Sequence, residues 1–341
     1  MAADGRGSPR LRHHFHAFSR LKVPRLVFIT GACRTGKTTL GLLLGSMRSV
    51  EFIEEPWTAL ALPVMQKAGL IGPPAAATML QAFIEESFND RILLRNANFR
   101  RSDWSSIWRF KSRGEIARRL NGLKSRSDVV RHVEKNRSVL VISVTQTDPC
   151  LDFLKAALPQ ALIIHMVRQA LPAVLDRDWV RRSALLTDAQ MKKPWENDLH
   201  YDFKPGPRRP TLAIPWWVPR GRTREFLALP VLGRRLFYWL MMHRGGLEAS
   251  ERLPRARAGD YWRLDYESFA MDPLAAASRF GRLLGASPTA RTRQLAREIL
   301  ARPRGQLAPA DWSGVPSSLL RQASRLQERL GYPPLAAELL G

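Results

Sequence analysis

The 341 residues allow one large globular domain or two small ones, each with a buried core. The chain is 45% hydrophobic and 25% charged, which excludes a low-complexity disordered protein, and 54 basic against 30 acidic residues give a net charge of +24. This charge attracts anions such as nucleotides, acidic glycans or an anionic membrane surface. The two cysteines, Cys33 and Cys150, cannot form a disulfide framework and lack the spacing of metal ligands.

The N-terminal stretch, residues 1–24, is basic and lacks the apolar run of a signal peptide. No segment reaches the roughly 18 consecutive apolar residues that a membrane-spanning helix needs. We therefore expect a loosely ordered basic arm at 1–24, a single α/β domain at 25–341 and a cytoplasmic protein. Peripheral contact with a membrane stays open. Nucleic-acid binding is not expected, because the chain carries no recognised nucleic-acid motif.

The first predicted strand, RLVFIT at 25–30, runs into the sequence GACRTGKTT and then a helical apolar pattern. This segment matches G-x-x-x-x-G-K-[ST], with Gly31, Gly36, Lys37 and Thr38 at the fixed positions. A glycine turn that enters a helix presents backbone N–H groups to an anion, and the helix dipole adds to the attraction. The sequence therefore predicts a phosphate-like ligand here, without saying which one.

Three more apolar strands are predicted at 50–55, 138–144 and 161–168, with mostly helical sequence between them. Strands that are apolar on both faces and alternate with helices favour a parallel sheet covered on both sides. The fold class is therefore α/β, with a P-loop-type three-layer α/β/α arrangement around a central parallel sheet.

The second half begins with a segment that lacks clear periodicity. Residues 187–258 are expected to be a helical and irregular insertion, with a Pro- and Trp-rich irregular part at 190–232 and a helix at 224–244. A late strand is predicted at 260–269, followed by helices at 272–285 and 317–332.

Four blocks, in order along the chain, resemble the PAPS-dependent sulfotransferases, in particular bacterial members. The first runs from the glycine loop to the end of the second strand. It matches the family's Gly-x-x-Arg/Lys-Ser/Thr-Gly-Thr/Ser-Thr loop and its Glu-Pro. The matching residues are Gly31, Arg34, Thr35, Gly36, Lys37, Thr38, Thr39, Glu55 and Pro56, although Lys37 stands where the family usually has a hydroxyl residue.

The other blocks are LPQALIIHMVRQALPAVLDRDWVRR, DYWRLDYESFAMDPLAAASRFGRLLG and the C-terminal stretch that ends in Leu-Gly-Tyr. The resemblance implies that Arg168 binds the 3′-phosphate of the donor nucleotide. The family's partner serine lies eight residues further on, where this chain has Asp176. The resemblance also implies PAPS as the donor, 3′,5′-adenosine bisphosphate as the product and no metal. It leaves the insertion at 187–258 as the acceptor-side region. A carboxylate beside a 3′-phosphate is unfavourable because like charges repel.

Sulfuryl transfer needs a base for the acceptor hydroxyl and cations for the leaving oxygen. Arg34 and Lys37 are the candidate cations. Glu55 is the first candidate base because it ends the strand beside the loop, and Glu54 is the second, because only one of two adjacent strand residues faces a given side. Two residues at later strands, Asp148 and His165, are further candidates, and His165 has the setting of a core residue.

The sequence therefore predicts a sulfotransferase that acts on a hydroxyl of a carbohydrate or lipid-linked acceptor. A nucleoside-kinase-type enzyme, which also combines this loop with Glu-Pro, is the first alternative and needs a basic lid, for which 176–183 is the candidate. A non-catalytic binding protein of the same fold is the second alternative. Trp216 and Trp217 could bind an acceptor or pin a loop to the core. The oligomeric state stays open.

Overall fold

A computed structural model describes residues 25–103, 105–177, 186–193, 199–253, 260–301 and 307–340. The basic arm expected at 1–24 lies outside these residues, as does most of the candidate lid at 176–183. None of the helices in these segments combines the length and the apolarity that crossing a bilayer requires.

The strands and helices alternate along the described chain. The strands are β1 (Arg25–Gly31), β2 (Val50–Glu54), β3 (Val139–Thr145), β4 (Leu162–Val167), β5 (His200–Phe203), β6 (Leu212–Pro215) and β7 (Tyr261–Asp265). In the first half of the chain the helices are α1 (Lys37–Gly45), α2 (Trp57–Lys67), α3 (Pro73–Ile92), α4 (Arg113–Gly122), α5 (Arg126–Asn136), α6 (Leu151–Ala157) and α7 (Ala170–Val174). In the second half they are α8 (Asp188–Lys192), α9 (Thr223–Ala228), α10 (Val231–Glu251), α11 (Tyr266–Met271), α12 (Pro273–Leu284), α13 (Ala290–Leu300), α14 (Ser317–Arg329) and α15 (Ala337–Leu340).

Five of the seven described strands form a sheet in the order β2-β3-β1-β4-β7, in which every pair is parallel. Successive residues of β1 enter different cores. Val27 and Ile29 pack with α1, α12 and α13, whereas Leu26 and Phe28 pack with α2, α3 and α6. Because side chains alternate across a strand, helices cover both faces of the sheet. The predicted three-layer α/β fold with a central parallel sheet is confirmed.

Two predicted elements differ in the structure. The helix expected at 224–244 is interrupted: α9 ends at Ala228 and Pro230 caps the start of α10, because proline cannot donate the hydrogen bond that a continuous helix requires. The strand expected at 260–269 ends at Asp265, and α11 begins at the next residue, Tyr266. The Pro- and Trp-rich part also contains an antiparallel hairpin, β5–β6, which the sequence did not predict.

A buried ionic network ties β2 to α4. Glu51 is 1% exposed, and its Oε1 lies 2.5 Å from a guanidinium nitrogen of Arg119 and 3.2 Å from Nζ of Lys111. Burial alone would raise the pKa of Glu51, but the charges of Arg119 and Lys111 outweigh it and lower the pKa from 4.5 to about 2. A buried carboxylate with two cations is costly to break, because each cation would then be left short of a partner.

Glu51→Ala is expected to lower the free energy of unfolding by about 3–5 kcal/mol at pH 7. The pKa of Glu51 is lower in the folded state, so its stabilising effect is present above pH 4.5 and is lost as the pH falls toward 2. In denaturant unfolding, the difference in the free energy of unfolding between Glu51→Ala and the wild type should therefore become smaller at low pH. Glu115→Ala is the matched control, because Glu115 contacts the same two cations but is only partly buried. Equal effects of both variants at pH 7 would contradict this account.

Candidate functional site

The glycine loop lies at the carboxyl end of β1, in the centre of the sheet, where open α/β folds bind their ligands. Gly36 precedes α1 with φ +87°, and a Cβ there would lie 2.5 Å from the ring of Tyr266. A Cβ on Gly31 would lie 2.6 Å from the carbonyl oxygen of Met166. Both positions therefore require glycine, and the backbone takes the strand–loop–helix course that the motif predicts.

Hydrogen bonds within the loop hold its shape. Nζ of Lys37 and Oγ1 of Thr35 each donate to the carbonyl oxygen of Ala32, both at 2.8 Å. Thr35 and Lys37 are buried, while Thr38 and Thr39 are half-buried in the first turn of α1. The loop is thus folded around Lys37, whose charge lies at the positive end of a helix.

The two acidic residues after β2 have different environments. Glu54 is half-buried, receives a hydrogen bond from Thr38 and lies within electrostatic reach of Lys37. Burial raises its pKa, partly opposed by Thr38 and Lys37, and the neighbouring Glu55 raises it further. Glu55 is exposed, with φ +42°. Of the two carboxylates, Glu54 is the one that contacts the loop.

Arg168, at the end of β4, reaches the loop. It donates to the carbonyl oxygen of Arg34 at 2.7 Å, and it lies over the ring of Tyr266 at 4.3 Å. Asp176 lies between two guanidinium groups, 2.8 Å from Arg34 and 3.4 Å from Arg168. The structure therefore joins Arg168 and Asp176, which the resemblance pairs, with Arg34, which the sequence assigned to the leaving oxygen, in one ion-pair cluster.

Two aromatic residues of a mostly apolar helix position this site. The backbone N–H of Cys33 donates to the hydroxyl of Tyr238 at 2.9 Å, and the indole N–H of Trp239 donates to the carbonyl oxygen of Arg168 at 2.9 Å. Both aromatic residues lie on α10, whose apolar pattern indicates only a core helix. The sequence offered one signal for these contacts: Tyr and Trp carry an O–H or N–H group that needs a hydrogen-bond partner when it is buried.

The C-terminal blocks support the segment that follows Arg168. The hydroxyl of Tyr332 donates to Glu267 at 2.8 Å, and Glu267 also accepts from the backbone N–H of Gln169 at 3.3 Å. Gln327 accepts from the N–H of Ala170 at 2.8 Å. The third and fourth sequence blocks thus meet next to the second, although they are distant along the chain.

Two other candidate bases are enclosed in the interior. Asp148 and His165 are both 0% exposed, and His165 Nε2 lies 3.0 Å from Asp148 Oδ1. The other ring nitrogen of His165 is 2.9 Å from the hydroxyl of Tyr261. An acceptor molecule cannot reach either side chain in this arrangement, so both act within the core.

A cavity of about 670 Å³ opens between α2, the β5–β6 hairpin and α10. Half-buried Tyr201 and Trp216 line it together with Met241, and Lys67 and Arg244 add positive charge. The indole N–H of Trp216 donates at 3.3 Å to a residue just beyond β3, Gln146. Trp217 is buried, and its ring packs 5.0 Å from that of Tyr238. Both tryptophans therefore line the cavity, and Trp217 also packs against the core.

Residues 24–201, more than half of the chain, match the model of the sulfotransferase family. Comparison with curated proteins finds no significant relative. Similar solved structures include the sulfotransferase STF9 from Mycobacterium avium, 12% identical over 95% of this chain and 82% of that one, with a TM-score of 0.45. The sulfotransferase domain of the olefin synthase from Synechococcus PCC 7002 is 14% identical over 91% and 95%, with a TM-score of 0.43. The chain belongs to the sulfotransferase family.

Proposed function

We propose that this protein transfers a sulfuryl group from an adenosine phosphosulfate nucleotide, of which PAPS is the member implied by the sequence resemblance, to a hydroxyl of an acceptor. The observation that carries the proposal is the position of the glycine loop with Lys37, in a chain of this family: the loop follows β1, and it is contacted by Arg168 from the end of β4 and by Glu54 from the end of β2. An anion cradle and a carboxylate therefore lie together at the carboxyl ends of parallel strands.

In the proposed reaction, Glu54 takes the proton of the acceptor hydroxyl as its oxygen bonds to sulfur. The bond from sulfur to the bridging oxygen breaks, and its electron pair stays on the nucleotide phosphate. Lys37 and the loop N–H groups stabilise the charge that develops there. The raised pKa of Glu54 suits this role, because a base accepts a proton more readily as its pKa approaches the working pH.

Glu55 was the first candidate from the sequence, and the structure supports a different assignment within the pair. Glu54 contacts Thr38 on the loop, whereas Glu55 is exposed. We propose Glu54 as the base and Glu55 as the charge that keeps the pKa of Glu54 raised.

A carbohydrate or lipid-linked hydroxyl remains our proposed acceptor, and the cavity beside Trp216 supports it. Aromatic and thioether side chains bind sugar faces and acyl chains, while Lys67 and Arg244 would attract an acidic group on the same molecule. The connection from Trp216 to Gln146 places this cavity next to the end of β3, which neighbours β1 and the loop.

Titration calorimetry tests the nucleotide part of the proposal. We expect adenosine nucleotides that are products of sulfuryl transfer, AMP or 3′,5′-adenosine bisphosphate, to bind without magnesium. Binding of ATP with magnesium alone would instead support the kinase alternative, for which Lys37 and the Glu-Pro pair would serve equally well. Absence of binding by all three nucleotides would support a non-catalytic protein of this fold.

A further inference from the structure

Asp176 lies between two cations, the guanidinium groups of Arg34 and Arg168. Its carboxylate lies 2.8 Å from Arg34 and 3.4 Å from Arg168, and its side chain is 17% exposed. Its backbone is held as well, because Asp176 forms a β-bridge with Leu307 and the N–H of Ala308 donates to Leu175 at 2.9 Å. The carboxylate is therefore a fixed part of this end of the site.

Arg168 is already engaged on one side by protein groups. One terminal nitrogen serves both the carbonyl oxygen of Arg34 and the carboxylate of Asp176. Its Nε is buried and has no hydrogen-bond partner among the described residues, and the guanidinium lies over Tyr266. A ligand group at this end of the site contacts the carboxylate of Asp176, whose side chain is 17% exposed against 9% for that of Arg168.

A carboxylate selects between the groups that a ribose can present. An ionised carboxylate only accepts hydrogen bonds, so a hydroxyl can donate to it, whereas a phosphate cannot and is repelled. Dinucleotide-binding folds use this rule, since an acidic residue binds a ribose hydroxyl and an arginine accommodates a phosphate at the same place. In this protein the acidic residue, Asp176, is present at the ion-pair cluster, which favours a ribose hydroxyl over a phosphate.

Resting on the proposed function, we propose that the donor has a free 3′-hydroxyl, which places it in the class of adenosine 5′-phosphosulfate, and that Asp176 determines this specificity. The 3′-hydroxyl donates to Asp176, and the 5′-phosphosulfate lies on the loop. Transfer then joins the sulfuryl sulfur to the acceptor oxygen, breaks the bond to the bridging oxygen and leaves AMP, with the acceptor proton on Glu54.

Calorimetry with AMP and 3′,5′-adenosine bisphosphate tests this proposal, because the two nucleotides differ only in the 3′-phosphate. The wild type is expected to bind AMP at least about tenfold more tightly, since like charges placed together suppress the wrong partner. Asp176→Ser should strengthen bisphosphate binding by about tenfold or more and reverse the preference, and Asp176→Asn should move it in the same direction. Thermal unfolding checks that both variants fold.

Glu298→Gln is the matched control, because it removes one negative charge from an ion pair with Arg291 outside the site. It should leave the preference unchanged. Tighter binding of the bisphosphate by the wild type, weakened or unchanged in Asp176→Ser, would overturn the inference and leave the proposed function intact. Failure of the folded wild type and the Asp176 variants to bind either nucleotide would overturn the proposed function and this inference with it.

Discussion

Glu54→Gln is expected to lower kcat by about 10²-fold to 10⁴-fold, the range that a positioned general base contributes. The variant keeps the size of the side chain and a hydrogen-bond acceptor for Thr38, but it cannot take the acceptor's proton. Nucleotide affinity should change only by a small factor, because the loop and Arg168 are untouched. Steady-state kinetics and calorimetry on the same preparation measure the two effects separately.

The pH dependence of kcat tests the role of Glu54 as a base. Glu54 acts as a base only when it is ionised, so kcat should fall as the pH drops through its pKa. Because burial raises this pKa, the fall should begin above 4.5, the ordinary value for a glutamate. The acidic limb of the profile should disappear in Glu54→Gln.

Glu55→Gln is the control for this variant. It removes an adjacent charge that raises the pKa of Glu54, so the acidic limb should move to lower pH while most of kcat remains. Loss of activity in Glu55→Gln with retention in Glu54→Gln would reverse the assignment and return the base to the residue that the sequence favoured.

Lys37→Met is expected to lower kcat by about 10²-fold to 10³-fold, comparable to the loss of one preorganised donor at a developing negative charge. Methionine fills the buried space of the lysine stem without its charge. The carbonyl oxygen of Ala32 keeps the hydrogen bond from Thr35, so the loop does not lose its internal support. Stability should therefore change much less than activity.

Lys37→Arg separates charge from geometry, because it retains the charge on a larger, planar group that does not fit the same buried position. We expect it to recover only part of the activity. Thermal unfolding of both variants accompanies the kinetics. Full activity in Lys37→Met, or a loss that simply follows unfolding, would contradict the role of this lysine.

The sequence predicts the central part of the fold well. Strands that are apolar on both faces, a glycine loop and helices between them leave few arrangements other than a covered parallel sheet, and β1, β2, β3 and β4 lie where the pattern indicates them. The hairpin β5–β6 was not predicted, because each of its strands has only four residues and the two are separated by a Pro-rich turn. Such pairs depend on tertiary packing more than on local preference.

The sequence indicates which candidate residues lie at one edge of the sheet but not how they are connected. The strand pattern puts Lys37, Arg168 and the acidic pair at that edge. It does not reveal that Asp176 bridges two arginines, or that Tyr238 on a distant helix holds the loop through Cys33. These contacts join residues far apart in the chain, so only the packed structure brings them together.

The most direct measurement is transfer itself, with the purified protein, radiolabelled sulfate on adenosine 5′-phosphosulfate or PAPS, and a panel of carbohydrate and lipid-linked hydroxyl acceptors. The account predicts that label moves from a phosphosulfate to an acceptor in the wild type and that Glu54→Gln abolishes the movement. Transfer of the terminal phosphate of ATP with magnesium to an acceptor, with no movement of labelled sulfate from either donor, would contradict it.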